Sequence, residues 1–123
     1  MKTFSVGFIV ILFVASLAWT AHALTSPVSA ITHFFAQPVD AATAQVRLTW
    51  SVPNSQNFTG VKILRRSGGS CPSTAYDSAA VVVYDGNGTS YADATVSPAT
   101  TYCYAAYAHD ARPVYASGVS ASV

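Results

Sequence analysis

Downstream of Ala23, the side chains best suited to acid, base or metal chemistry are few: His33, His109, five aspartates and the pair Cys71 and Cys103. A nucleophile needs a base within hydrogen-bond reach and a third group to orient that base. Neither histidine lies in such a motif. His109 and Asp110 are adjacent at the end of a predicted strand, where neighbouring side chains point to opposite faces, so they read as a loop edge and not as a catalytic pair. Glycoside hydrolysis needs two carboxylates facing across a cleft. Here Asp40, Asp77, Asp85, Asp93 and Asp110 each stand alone near a predicted turn or strand end. The cysteines and histidines also lack the C-x-x-C or H-x-x-x-H spacing of a metal site. The expectation is a chain with no catalytic residue, no metal ligand and no cofactor, and therefore not an enzyme.

The elements that carry these residues are short. From Leu24 onward apolar residues recur with period two, broken by Pro, Gly, Asn, Asp and Ser, and no stretch keeps a helical period for three turns, so the fold class is all-β. The predicted strands are Pro27–Ala36, Ala44–Ser51, Gly60–Ser67, Ala79–Tyr84, Thr89–Asp93, Thr100–His109 and Pro113–Ala121. Seven short strands suggest an antiparallel sandwich. Asp85-Gly86-Asn87-Gly88 tolerates positive φ and reads as a tight connection between the fourth and fifth strands. The stretch from Ser67 to Thr74 is a loop by composition. Phe34 and Phe35 stand side by side, so one of them must face water or sit at a bulge.

The opening segment is set apart. Met1 and Lys2 lead into sixteen mostly apolar residues, Phe4 to Trp19, and then Ala21-His22-Ala23, the order and content of a secretory signal peptide. Sixteen helical residues span roughly 24 Å, short of a hydrocarbon core of about 30 Å. Residues 1–23 are read as a cleaved signal and 24–123 as one domain, exported to the extracellular space and with no membrane attachment after cleavage. Without Lys2, the cations Arg47, Lys62, Arg65, Arg66 and Arg112 balance the five aspartates. That leaves no basic stripe for nucleic acid, and neutrality favours self-association. Asn57-Phe58-Thr59 and Asn87-Gly88-Thr89 satisfy the N-glycosylation sequon, which matters only in a source that glycosylates exported chains.

Three patterns resemble the fibronectin type III family and cover about Pro27 to Val123. The first is Val46-x-Leu48-x-Trp50-x-x-Pro53, which puts Trp50 on the inner face of a strand beside two aliphatics. The second is Phe58-Thr59-Gly60-Val61-Lys62-Ile63, with Val61 and Ile63 inward. The third, Val96-x-Pro98-x-Thr100-x-Tyr102-x-Tyr104-x-Ala106-x-Ala108, is similar to the family's turn and sixth strand. The resemblance implies an immunoglobulin-like seven-stranded sandwich. It would make Tyr102 the corner tyrosine, whose hydroxyl bonds back to the preceding connection. The Arg-Gly-Asp tripeptide of some members is absent; His109-Asp110-Ala111-Arg112-Pro113 stands in the corresponding loop.

In a sandwich of this kind the third and sixth strands are antiparallel neighbours, which brings Cys71 and Cys103 to one corner. In an exported chain with two cysteines they are expected to form a disulfide. The function implied is a non-catalytic extracellular module, binding a protein partner or another copy of itself through loops and sheet edges. The surface candidates are His109, Asp110 and Arg112 in one loop, Tyr107 and Tyr115 as outward aromatics, and whichever of Phe34 and Phe35 faces water. Two alternatives stand beside this reading: an accessory module of a secreted carbohydrate-active enzyme, with a carbohydrate ligand and the chain a fragment, and a subunit of an extracellular filament.

Overall fold

The computed structural model describes residues 28–40 and 42–123, so the segment read as a signal peptide lies outside the described residues. Seven strands follow in order: β1 (Thr32–Pro38), β2 (Val46–Ser51), β3 (Gly60–Ser67), β4 (Val81–Gly86), β5 (Ser90–Asp93), β6 (Tyr102–His109) and β7 (Val119–Ser122). They form two antiparallel sheets, β1-β2-β5 and β4-β3-β6-β7. The longest ladder joins β3 to β6, from Gly60 opposite His109 to Ser67 opposite Tyr102. Among the described residues no helix is long and apolar enough to cross a membrane.

Alternation decides which side chains fill the space between the sheets. Val46, Leu48 and Trp50 of β2 face Val61 and Ile63 of β3 and Tyr102, Tyr104, Ala106 and Ala108 of β6, and all are buried. The small alanines of β6 leave room for the large rings, in keeping with close packing of a core. Trp50 meets Tyr84 edge-on at 5.2 Å between ring centroids. In β1 the pair of phenylalanines is resolved by a bulge: the register shifts between Thr32 and Phe35, and His33 adopts φ 51°. Phe34 then packs inward while Phe35 stays 54% exposed.

Two expectations need correction. The stretch from Asp85 to Gly88 does join β4 to β5, which lie in different sheets, but none of its residues takes a positive φ. Positive φ is found instead at His33, Gly68 and Ala99. Gly86 and Gly88 are required for room: a Cβ on either would lie within 2.8 to 2.9 Å of the Tyr84 hydroxyl, which accepts a hydrogen bond from the Gly88 amide at 2.7 Å. The last strand is also displaced. Residues 113–118 touch the sheet through one bridge, His109 opposite Tyr115, and regular pairing begins only at Val119. Between them Gly118 passes so close to Tyr107 that a Cβ would come within 2.4 Å of the ring.

Candidate functional site

The outer face of the β3–β6 ladder is covered, not solvated. A disulfide joins Cys71 to Cys103 across a sequence separation of 32, and it draws the 68–80 loop over β6. Leu64, Ala75, Ala105 and Tyr107 form a second small core there, separate from the one between the sheets. Tyr107, expected to face outward as a contact residue, is instead buried under this loop, and its hydroxyl donates to the Pro72 carbonyl at 3.2 Å. Its phenol pKa is raised, first by burial and then by the charge of Asp77.

The same loop presents Tyr76, among the described residues the most exposed of the large apolar and aromatic side chains at 69%. Tyr76 is nevertheless held. It meets Tyr115 edge-on at 5.2 Å, Tyr115 in turn meets His109 at 5.2 Å, and the Lys62 ammonium lies 5.2 Å from the Tyr76 ring and 5.5 Å from the Tyr115 ring. Such cation–ring contacts contribute about 0.5–1 kcal/mol at exposed sites. Tyr115 is half-buried in this cluster, and its phenol pKa is raised by burial and by the nearby Tyr76 and Asp85. Sequence reasoning missed Tyr76 because the 68–80 loop has no period to show which side chain emerges from it.

His109, Asp110 and Arg112 do not form an open contact loop. His109 places Nδ1 2.9 Å from the Asp110 carbonyl, while its buried Nε2 lies 3.4 Å from an Asp85 carboxylate oxygen without a hydrogen bond to it. Asp110 is 4% exposed, and one carboxylate oxygen accepts from the Arg112 and Val114 amides at 3.0 and 2.8 Å, while the other receives Arg112 Nε at 2.9 Å. Asp110 therefore shapes the loop from within, and of His109, Asp110 and Arg112 only Arg112 is exposed. Beside it a cleft of about 540 Å³ is lined by Asn57, Phe58, Thr59 and Arg112 among others. Among the described residues no three His, Cys, Asp or Glu side chains gather as a metal site would require.

These hydrogen bonds have a pH signature. The Asp110 carboxyl is held down to about 2, chiefly by the Arg112 side chain and with help from the two amides, against the opposing effect of burial. In the unfolded chain it returns to its ordinary 3.8. A carboxylate whose pKa falls on folding contributes stability that is complete above the unfolded pKa and is lost as pH drops through the folded one. Asp40 and Asp77 are lowered too, each by hydrogen bonds within its own loop. The melting temperature should hold level from neutrality down to pH ~4 and fall between roughly pH 4 and 2. Asp110→Asn should lower the neutral value and shallow the acid slope; calorimetry across that range checks it, and an unchanged slope contradicts it.

At the opposite side of the core the Tyr102 hydroxyl accepts the Ser97 amide at 2.8 Å, bonding back to the β5–β6 connection, and the Arg65 guanidinium lies 4.9 Å from its ring. Arg65 also reaches Asp93 at 2.7 Å, and Tyr104 donates to the same carboxylate oxygen at 2.8 Å. A cleft of about 510 Å³ opens beside Ser97 and Tyr102, lined also by Pro38, Val96 and Thr100, while Asp93 and Tyr104 stay buried behind it.

Two sheets, a corner tyrosine and a core tryptophan define the class: the chain has the fibronectin type III fold. Solved structures agree. It is similar to a Fn3-like protein from Clostridium thermocellum at 20% identity and TM-score 0.58, over 80% of this chain and 92% of that one. It is also similar to the FN1–FN3 domains of chicken CNTN1 at 13% identity and TM-score 0.65, over 80% of this chain and 32% of that one. The fold matches part of pectate lyase Pel3 from Pectobacterium carotovorum as well, at 14% identity and TM-score 0.57, over 77% of this chain and 26% of that one. No family model and no curated protein matches the sequence.

Proposed function

We propose that the chain is an exported, non-catalytic binding module that holds a macromolecular partner on the face built around Tyr76. The observation that carries this reading is an aromatic ring 69% exposed and yet fixed by Tyr115, Lys62 and a disulfide-anchored loop. Rigid, exposed aromatics lose little conformational entropy on binding and are favoured anchors at interfaces. Export fits the disulfide, which persists in oxidising compartments. The mature chain would begin at Leu24 as a single domain. A protein partner is the first reading. The fold shared with part of a pectate lyase supports a second, in which the same face lies against a polysaccharide.

Tyr76→Ala tests both. Binding of immobilised domain to extracellular protein from the native source, and separately to polygalacturonate, should fall at least ~10-fold in whichever arm binds, as for an anchor worth more than about 1.4 kcal/mol. The melting temperature should stay within a few degrees, because the ring removed is mostly in water. Equal binding by Tyr76→Ala and the unmodified chain would remove the assignment of this face.

A further inference from the structure

The cleft of about 510 Å³ beside Tyr102 lies between the turn that joins β1 to β2 and the connection that joins β5 to β6. Its size falls in the range of small-ligand sites, about 300–1,000 Å³. Pro38 and Val46 on one side and Val96, Pro98 and Ala99 on the other give it an apolar lining. Both rims are fastened. Across the turn the Val39 amide donates to the Gln45 carbonyl at 3.1 Å, and the Asp40 carboxylate takes the Ala42 and Thr43 amides and the Thr43 hydroxyl at 2.7 to 2.8 Å. In the opposite connection the Ser97 amide is tied to the Tyr102 hydroxyl and the Thr100 hydroxyl donates to the Pro98 carbonyl at 3.2 Å. Ala99 between them holds φ 55°, a left-handed backbone that disfavours any residue with a Cβ.

One charge interrupts this lining. Asp40 borders the cleft, and its three donors all go to one carboxylate oxygen, so the other has no donor among the described residues. The remaining aspartates each face a base: Asp77 has Arg66, Asp85 has His109, Asp93 has Arg65 and Asp110 has Arg112. Asp40 faces none, and the cleft lining holds no Lys, Arg or His. Hydrogen bonds from Thr43, and then from the Ala42 amide, hold its carboxyl below the ordinary value, so it is ionised at neutral pH.

We propose that this cleft binds an organic cation, an ammonium or guanidinium carried on an apolar body, with the charge at Asp40 and the carbon skeleton between Pro38 and Val96. The occupant follows from what the cleft offers. An uncharged apolar ligand would strip water from the carboxylate and give nothing back, and an anion would be repelled by it. A cation on a carbon skeleton satisfies both the charge and the apolar walls. Because both rims are already tied, little chain ordering opposes binding. Free amines and basic side chains of a peptide present the same chemistry, and the test separates them.

The site shares no residue with the Tyr76 cluster, so the two assignments fail independently. Amide NMR spectra of the oxidised protein at low salt should shift at residues 43–46 and 96–101 on titration with phenethylammonium, and separately with a capped phenylalanine–lysine dipeptide. Phenethyl alcohol, of the same shape without the charge, should bind about 5-fold more weakly, the most that a solvent-exposed ion pair commonly adds. Asp40→Asn keeps an oxygen for the turn and removes the charge. It should lose about 5-fold for the amine and nothing for the alcohol, with the melting temperature within a few degrees. Tyr76→Ala should bind the amine as the unmodified chain does. Tighter binding of the dipeptide would assign the site to a peptide partner, and tighter binding of the amine to a small molecule; either supports the proposal. No shift at these residues, equal affinity for amine and alcohol, or an unchanged amine affinity in Asp40→Asn would each overturn it.

Discussion

Reduction of the Cys71–Cys103 bridge is expected to lower the melting temperature by roughly 15 to 25 °C, using about 4 to 8 °C per kcal/mol for a domain of this size. Closing a loop of this length limits the unfolded ensemble by about 3 to 4 kcal/mol in the chain-entropy picture. A second contribution comes from the folded side. The bridge anchors the loop whose Ala75 packs on Leu64, Ala105 and Tyr107, and whose Pro72 carbonyl accepts the Tyr107 hydroxyl. Freed from Cys103, that loop can lift, and the packing of Ala75 and the Tyr107–Pro72 hydrogen bond are lost together, the hydrogen bond contributing about 1 kcal/mol. Cys103→Ser should reproduce the reduced protein, and Tyr107→Phe should lose part of its own effect in that background. Calorimetry with and without reductant measures the first; a melting temperature unmoved by reduction would refute it. The Tyr76 face should fail together with the bridge, since the same loop carries both.

Much of the main core was legible from alternation alone. Val46, Leu48 and Trp50, then Tyr102 and Tyr104, sit two residues apart on strands whose polar neighbours point away. Alternation says which side of a strand a residue takes, and it says nothing about what lies over that side. Tyr107 and Cys103 do take the outer face of β6, but that face is roofed by an irregular loop, so both are buried. The same gap hid Tyr76. Asp110 was misjudged for a related reason: in sequence it looks like an exposed loop charge, and its burial depends on amides two and four residues later folding back to it. The turn residues of Asp85 to Gly88 place it between β4 and β5, but sequence cannot show that its glycines make room for Tyr84 and do not supply a positive φ.

Asp93 is the strongest case of a role that local sequence conceals, and its replacement should have the second large effect on stability. In sequence it is one lone aspartate at a strand end; in the fold it is 1% exposed and takes four donors. Thr95 binds one oxygen through its amide at 3.0 Å and its hydroxyl at 2.6 Å, and Arg65 and Tyr104 bind the other. Burial alone would raise its pKa, but the hydrogen bonds from Thr95, Arg65 and Tyr104 outweigh it, so the carboxyl stays below its ordinary value. An asparagine has the same shape but must turn an NH2 toward donors or surrender an acceptor. Asp93→Asn should therefore cost about 3 kcal/mol, the lower end of the range for breaking a buried pair, because Arg65 keeps 13% of its side chain in water. Tyr104→Phe alone should cost about 1 kcal/mol. In the Asp93→Asn background it should cost less, since the acceptor is already compromised; a double-mutant cycle reads that coupling. The partnership also sets an alkaline limit. Burial, then the hydrogen bond to Asp93 and its charge, raise the Tyr104 phenol above its ordinary 10.0. A group whose pKa rises on folding contributes stability that is complete below its unfolded pKa and drains away above it. The unmodified protein should thus lose stability as pH climbs past about 10, and Tyr104→Phe should lose less of it. Equal alkaline slopes, or additive costs in the cycle, would show that Asp93 and Tyr104 act independently.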